Sequence, residues 1–231
     1  MSERLAHARI RDFSRDLISI AEHIIRMLAH ALDMTEPRSV DSLERFKRSD
    51  HEITMKEIEL EERCLTFLAI EHPAAIDLRT IVTIIKAKND LERINDLALH
   101  IMERVHEITP EMYESFDFGE IGRRTITMAE KSIEAFISVD PTIADEVYAL
   151  DEEIHAMLQK VFKTAKALMN NTMIDSDQLL AALSISRHIG LINEHVSSIA
   201  RTVHYLANGE IIPCRESFYR KLAESLNLSD N

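Results

Sequence analysis

The chain has 231 residues, 45% hydrophobic and 29% charged, with a formal net charge of −13. No basic run offsets the acid, which argues against binding to nucleic acid or to anionic membrane and favours cationic partners and metal ions. Four glycines, five prolines and no tryptophan, among many helix formers, point to an all-α protein large enough to bury a core.

The chain starts "MSERLAHARIRDFSRDLISI", with no apolar stretch before a small-residue cleavage site. No run of about 18 apolar residues follows, so no membrane span is expected and the expected location is cytoplasmic. Cys64 and Cys214 are the only cysteines. That usage suits a reducing compartment without a disulfide framework.

Punctuation predicts six long helices. The first runs from Glu3 to Leu32 and is broken by "DMTEPRSVDS". The second runs from Val40 to Glu71 and stops at His72-Pro73, where Pro73 suits the first position of the third. The third reaches Glu107, its apolar residues Ile81, Ile84, Ile85, Leu91, Ile94, Ala98, Ile101 and Val105 recurring every three or four positions. "ITPEMYESFDFGE" follows as the boundary between two halves. The fourth covers Glu120 to Ser138, ended by Asp140-Pro141, and the fifth covers Thr142 to Asn170. In the turn "NNTMIDSDQ", Asp175 is a candidate cap with Gln178 three residues on. The sixth runs from Asp177 to Ala207, with Gly209 placed as its C′ residue. The remaining tail holds at most one short helix.

Each half thus reads helix, turn, long helix, turn, long helix. "Asp50-His51-Glu52-Ile53" matches "Asp151-Glu152-Glu153-Ile154", 101 residues on. "Ile94-Asn95-Asp96" matches "Ile192-Asn193-Glu194", 98 residues on. Two matches in the same order at nearly one offset indicate an internal repeat of two tandem three-helix bundles, side by side or end to end. The expected bounds are residues 1–112, 113–210 and a C-terminal tail, 211–231.

The candidate chemistry lies on the third helix. Lys88, Glu92, Asp96 and His100 follow at steps of four and share a stripe at the edge of the apolar one. Glu92 and Asp96 repel each other unless a cation joins them, and their hard oxygens suit Mg²⁺, Ca²⁺, Mn²⁺ or iron. A solvated face balanced by Lys88 and Arg93 accounts for the same spacing. Asp50 and Asp151 hold matching places and are able to approach the carboxylates of helices three and six. Glu103-Arg-Val-His106 fits the Glu-x-x-His motif of a di-iron bundle, a match expected by chance in a chain this rich in Glu and His. The 11 histidines are scattered, and neither a Gly-rich phosphate loop nor a Gly-x-Ser-x-Gly elbow occurs. An interaction protein is favoured over an enzyme.

"EHPAAIDLRTIVTIIKAKNDLERINDLALHI", residues 71–101, resembles the signature region of the PhoU family. The matching positions are Pro73, Asp77-Leu78-Arg79, and Glu92-Arg93-Ile94-Asn95-Asp96, with Asn95 where the family usually has Gly. Asp50 and Ile53 fit the family's second helix and "TVHYLANGE", residues 202–210, its final one. The resemblance implies a cytoplasmic, non-catalytic regulator of phosphate uptake and phosphate-starvation signalling. Its implied partners are the phosphate importer's ATPase and a sensor histidine kinase. It also implies a site for iron or another divalent or trivalent metal ion in each bundle: Glu92, Asp96 and Asp50 in the first, Glu194 and Asp151 in the second. The second is depleted, because Gly190 stands in the place of the Glu and Leu191 in that of the Arg. Glu210-Ile211-Ile212 stands where the family has Asp and Arg after its final Gly. A metal-storing or metal-dependent helical protein, or a regulator of a different transporter, remain alternatives. A homodimer is compatible with the residues but not required by them.

Overall fold

The computed structural model describes residues 3–33, 40–73, 75–169 and 175–212. The expected turns around 34–39 and 170–174, Cys214 and the tail from 213 onward lie outside the described residues. Among those described are seven α-helices and no strand: α1 (Glu3–Leu32), α2 (Val40–Glu71), α3 (Ala75–Arg104), α4 (Pro110–Ser115), α5 (Phe118–Ser138), α6 (Pro141–Leu168) and α7 (Ser176–Asn208). The six long helices are those the periodicity predicts. The short α4 lies in the expected boundary between the halves, whereas Val105–Glu107, expected as the end of the third helix, form a 3₁₀ turn after α3 stops at Arg104.

Helix α1 shows why the pattern suffices. Ile10, Phe13, Leu17, Ile20, Ile24, Leu28 and Ala31 recur at steps of three and four, and all are buried. The ends follow local chemistry. The Asp140 side chain accepts from the Thr142 amide at 2.8 Å, with Pro141 at the first helical position of α6. The Asp175 side chain accepts from the Asp177 amide at 2.9 Å and so caps α7 as predicted. Gly209 closes α7 in the left-handed region at φ 77°.

Two local expectations are corrected. Pro73 does not open α3, which starts at Ala75; His72 (φ 46°) and Ala75 (φ 50°) turn the chain there in left-handed conformations. Gln178 does not complete a capping box: its Oε1 accepts instead from the Thr109 amide at 3.3 Å, joining α7 to the segment before α4.

Helices α1, α2 and α3 pack on one another, as do α5, α6 and α7. The two bundles lie side by side, α3 against α7 and α1 against α5. Helices α3 and α7 run antiparallel. Lys86 lies over the Tyr205 ring at 5.7 Å, Asp90 meets His195 at 2.9 Å, and His100 faces His188 at 5.5 Å between ring centroids. Gly122 admits α1, since a Cβ there would stand 3.2 Å from the Leu32 Cβ. The buried side chains of both bundles form one continuous core. Among the described residues no helix is long and apolar enough to cross a membrane.

Val139 carries identifiable strain. It ends α5 at φ 52°, where a β-branched residue crowds its own backbone. Its side chain is exposed, so little packing offsets that cost. Val139→Gly is expected to stabilise the protein by about 1 kcal/mol. Thermal unfolding of the two proteins checks this, and an unchanged or lower melting temperature would refute it.

Candidate functional site

Helices α2 and α3 run antiparallel and meet along a polar seam. At one end the Asn95 side-chain amide donates to the Asp50 carboxylate at 2.6 Å. Further along, the Lys88 ammonium donates to Glu92 at 3.2 Å and lies 2.7 Å from Glu61 of α2. Beside them Glu57 is only 2% exposed, and its Oε1 has no hydrogen-bond partner. Asp96 is paired outward with Arg93 at 3.2 Å.

The electrostatics follow from this packing. Burial first, and then the neighbouring Glu92 charge, push the Glu57 carboxyl up to about 8, with Lys88 opposing. Glu57 therefore holds its proton around neutral pH. Burial and then the Asp96 charge raise Asp50 too, against the Asn95 hydrogen bond. Burial pulls Lys88 down, but its hydrogen bonds to Glu61 and Glu92 outweigh that and the net direction is up. Removing the Asn95 amide would leave Asp50 half-buried without that donor. Asn95→Ala is expected to cost about 1–3 kcal/mol, read by denaturant unfolding, whereas a loss below about 0.5 kcal/mol would show the contact to be incidental.

The sequence-predicted residues of the first bundle thus share one α2–α3 seam, Asp50 toward Asn95 and Glu92 toward Lys88. Among the described residues, no three of His, Cys, Asp or Glu stand close enough together to hold a metal ion. The residues that sequence reasoning missed are Glu57, Glu61 and the burial of Lys88. In the second bundle Asp151 and Glu194 are half-buried on α6 and α7. At the repeat offsets, Leu158 stands for Glu57, Phe162 for Glu61 and Ser186 for Lys88, while Asn193 matches Asn95. Leu158 and Ser186 are buried, so the seam is uncharged where the first is charged.

Between the bundles the histidines have definite places. His195 pairs with Asp90 across α3 and α7. Burial, followed by the charges of His100, Arg187 and Arg104, lowers His188 to about 4, so it stays neutral against the His100 ring.

Fold and seam together define a class: an all-α protein of two repeated three-helix bundles, with carboxylates concentrated on one bundle. The chain belongs to the PhoU family. The family's domain model, described as PhoU domain, matches twice, at residues 17–105 and 118–203, one match per bundle. Three relatives are named phosphate-specific transport system accessory protein PhoU or a homolog of it. That of Deinococcus radiodurans is 22% identical over 87% of this chain and 96% of its own length. That of Escherichia coli is 23% identical over 88% and 86%, and that of Pseudomonas putida 28% over 90% and 85%. The fold is that of two crystal structures. One is the phosphate transport system regulatory protein PhoU of Streptococcus pneumoniae, with TM-score 0.80, 20% identity, and 90% of this chain and 99% of that one covered. The other is PhoU of Pseudomonas aeruginosa, with TM-score 0.77, 23% identity, and 90% and 100% covered.

Proposed function

We propose that this chain regulates phosphate transport as a non-catalytic adaptor in the cytoplasm, linking the phosphate importer's ATPase to a sensor histidine kinase and holding signalling off when phosphate is plentiful. The observation that carries this is the match of both bundles, over most of the chain, to phosphate-transport accessory proteins. The chemistry agrees: Asp50 is held by Asn95, and Glu61 and Glu92 by Lys88, and such pairing fixes shape rather than turning over a substrate. Affinity capture from the native cell at high and low phosphate tests the reading. Enrichment of an importer ATPase or a sensor kinase supports it. Enrichment of another transporter's subunits would reassign the chain to that system, and enrichment of neither would refute the adaptor role.

A metal-dependent regulator, which the resemblance implies, is the second reading, and it requires Asp50, Glu92 and Asp96 to leave the partners they hold here. Elemental analysis after gentle purification tests it. About one equivalent of iron or manganese per chain would support it.

A further inference from the structure

The first-bundle seam is where the resemblance implies a metal ion, and its contents as arranged do not fit one. Three observations carry this. The Lys88 ammonium, 5% exposed, lies between Glu61 of α2 and Glu92 of α3, at 2.7 Å and 3.2 Å. A metal on Glu92 would bind its oxygen at roughly 2.0–2.6 Å and stand beside that fixed positive charge. Next, the side-chain amide of Asn95 donates to one oxygen of Asp50, so that approach is filled by an N–H donor rather than left open to a cation. Finally, the repeat supplies an internal control. Where the first bundle has Glu57, Glu61 and Glu92, the second has Leu158, Phe162 and Gly190, and there Ser186 replaces the lysine. Within one chain, the buried ammonium appears with the carboxylates and is absent without them.

We infer that the Lys88 ammonium is the resident cation of the α2–α3 carboxylate seam, standing in the place of a metal ion, so that this bundle keeps its form without metal. A buried ammonium between two carboxylates is an arrangement whose loss leaves uncompensated charge. This inference is independent of the adaptor reading: it concerns what fills the seam, and its failure would leave the partners untouched.

The test uses the full chain and Mn²⁺ as the probe. The unaltered protein is expected to take up no stoichiometric Mn²⁺ by calorimetry and to melt at the same temperature in chelator and in millimolar Mn²⁺. Lys88→Ser, which installs the second bundle's residue, is expected to gain a Mn²⁺-dependent rise on the order of 5 °C. Lys88→Arg keeps the charge and should stay indifferent to Mn²⁺. Should Lys88→Ser fail to fold, the double variant Lys88→Ser/Glu61→Gln removes one carboxylate with the ammonium and should show the same gain. Stoichiometric Mn²⁺ binding by the unaltered protein, abolished in Glu92→Gln, would overturn the inference. So would a folded Lys88→Ser protein, or a folded double variant, that shows no response to Mn²⁺.

Discussion

Glu57→Gln is expected to raise stability above pH 8 and to leave it nearly unchanged near pH 4. The folded carboxyl titrates at about 8, against an ordinary value of 4.5 in the unfolded chain. Between those two values the native state holds a proton that the unfolded state has given up. Stability is therefore fully present below about pH 4.5 and is lost as pH rises toward 8. A full separation at about 1.4 kcal/mol per unit would give about 4–5 kcal/mol; relaxation of the seam and screening bring the expected loss to roughly 3 kcal/mol. Glutamine has the shape of the protonated acid and no proton to lose. For a protein of this size the gain corresponds to roughly 6–12 °C in melting temperature at alkaline pH. His188 acts in the opposite sense. Its folded value is lowered to about 4 from 6.5, so its contribution is present above pH 6.5 and fades as pH falls through 4. The unaltered protein should thus be most stable between these arms, and the glutamine variant should move that optimum to higher pH. Melting curves of the two proteins from about pH 5 to about pH 9 decide the matter. Parallel curves would mean that Glu57 is ionised throughout in the native state.

The helices were legible because burial on one side gives a clear period, as along Ile10, Phe13, Leu17 and Ile20 of α1. The seam was legible only in part. Glu92, Asp96 and Asp50 stand out as acids at helical spacing, but Lys88 reads as part of the stripe at the edge of the apolar one, and nothing in the pattern marks Asn95 as buried. Helix α3 packs against α1, α2 and α7, so its buried arc is wide and draws both into the interior. A helical period marks which side is buried and not which neighbour covers it. Glu57 could have been noticed on that period: Ile53, Glu57, Leu60 and Cys64 of α2 recur at steps of three and four, and all are buried. Its charged type argued the other way. The pairs His195–Asp90 and His100–His188 depend on how the two bundles register against each other. That register is a tertiary property, and neither half's pattern contains it.

Phe67→Ala is expected to cost about 3–5 kcal/mol and to lower the melting temperature by roughly 6–20 °C in one cooperative step. Phe67 of α2 is fully buried and meets Phe13 of α1 edge to face, ring centroids 5.7 Å apart at 86°. Such a pair contributes about 0.5–1.5 kcal/mol beyond the area it buries. The two rings are covered reciprocally. Arg9 of α1 lies over Phe67 and Arg63 of α2 over Phe13, each at 5.1 Å, and each arginine is tied to the other helix, Arg9 to Glu71 at 3.3 Å and Arg63 to Asp16 at 2.6 Å. Truncating one ring opens a cavity, strips the other of its edge contact and leaves Arg9 without the face on which it rests. The effect should not stay within the first bundle. Helices α1 and α3 form its other two sides and are also the helices that pack against α5 and α7, and the core runs unbroken across that junction. A loosened α1 therefore weakens the support of α5, so both bundles should unfold together. Calorimetric and van't Hoff enthalpies that agree in the variant would bear this out. Two resolved transitions, with the second bundle melting at its original temperature, would show instead that the repeats fold independently and that the shared core does not couple them.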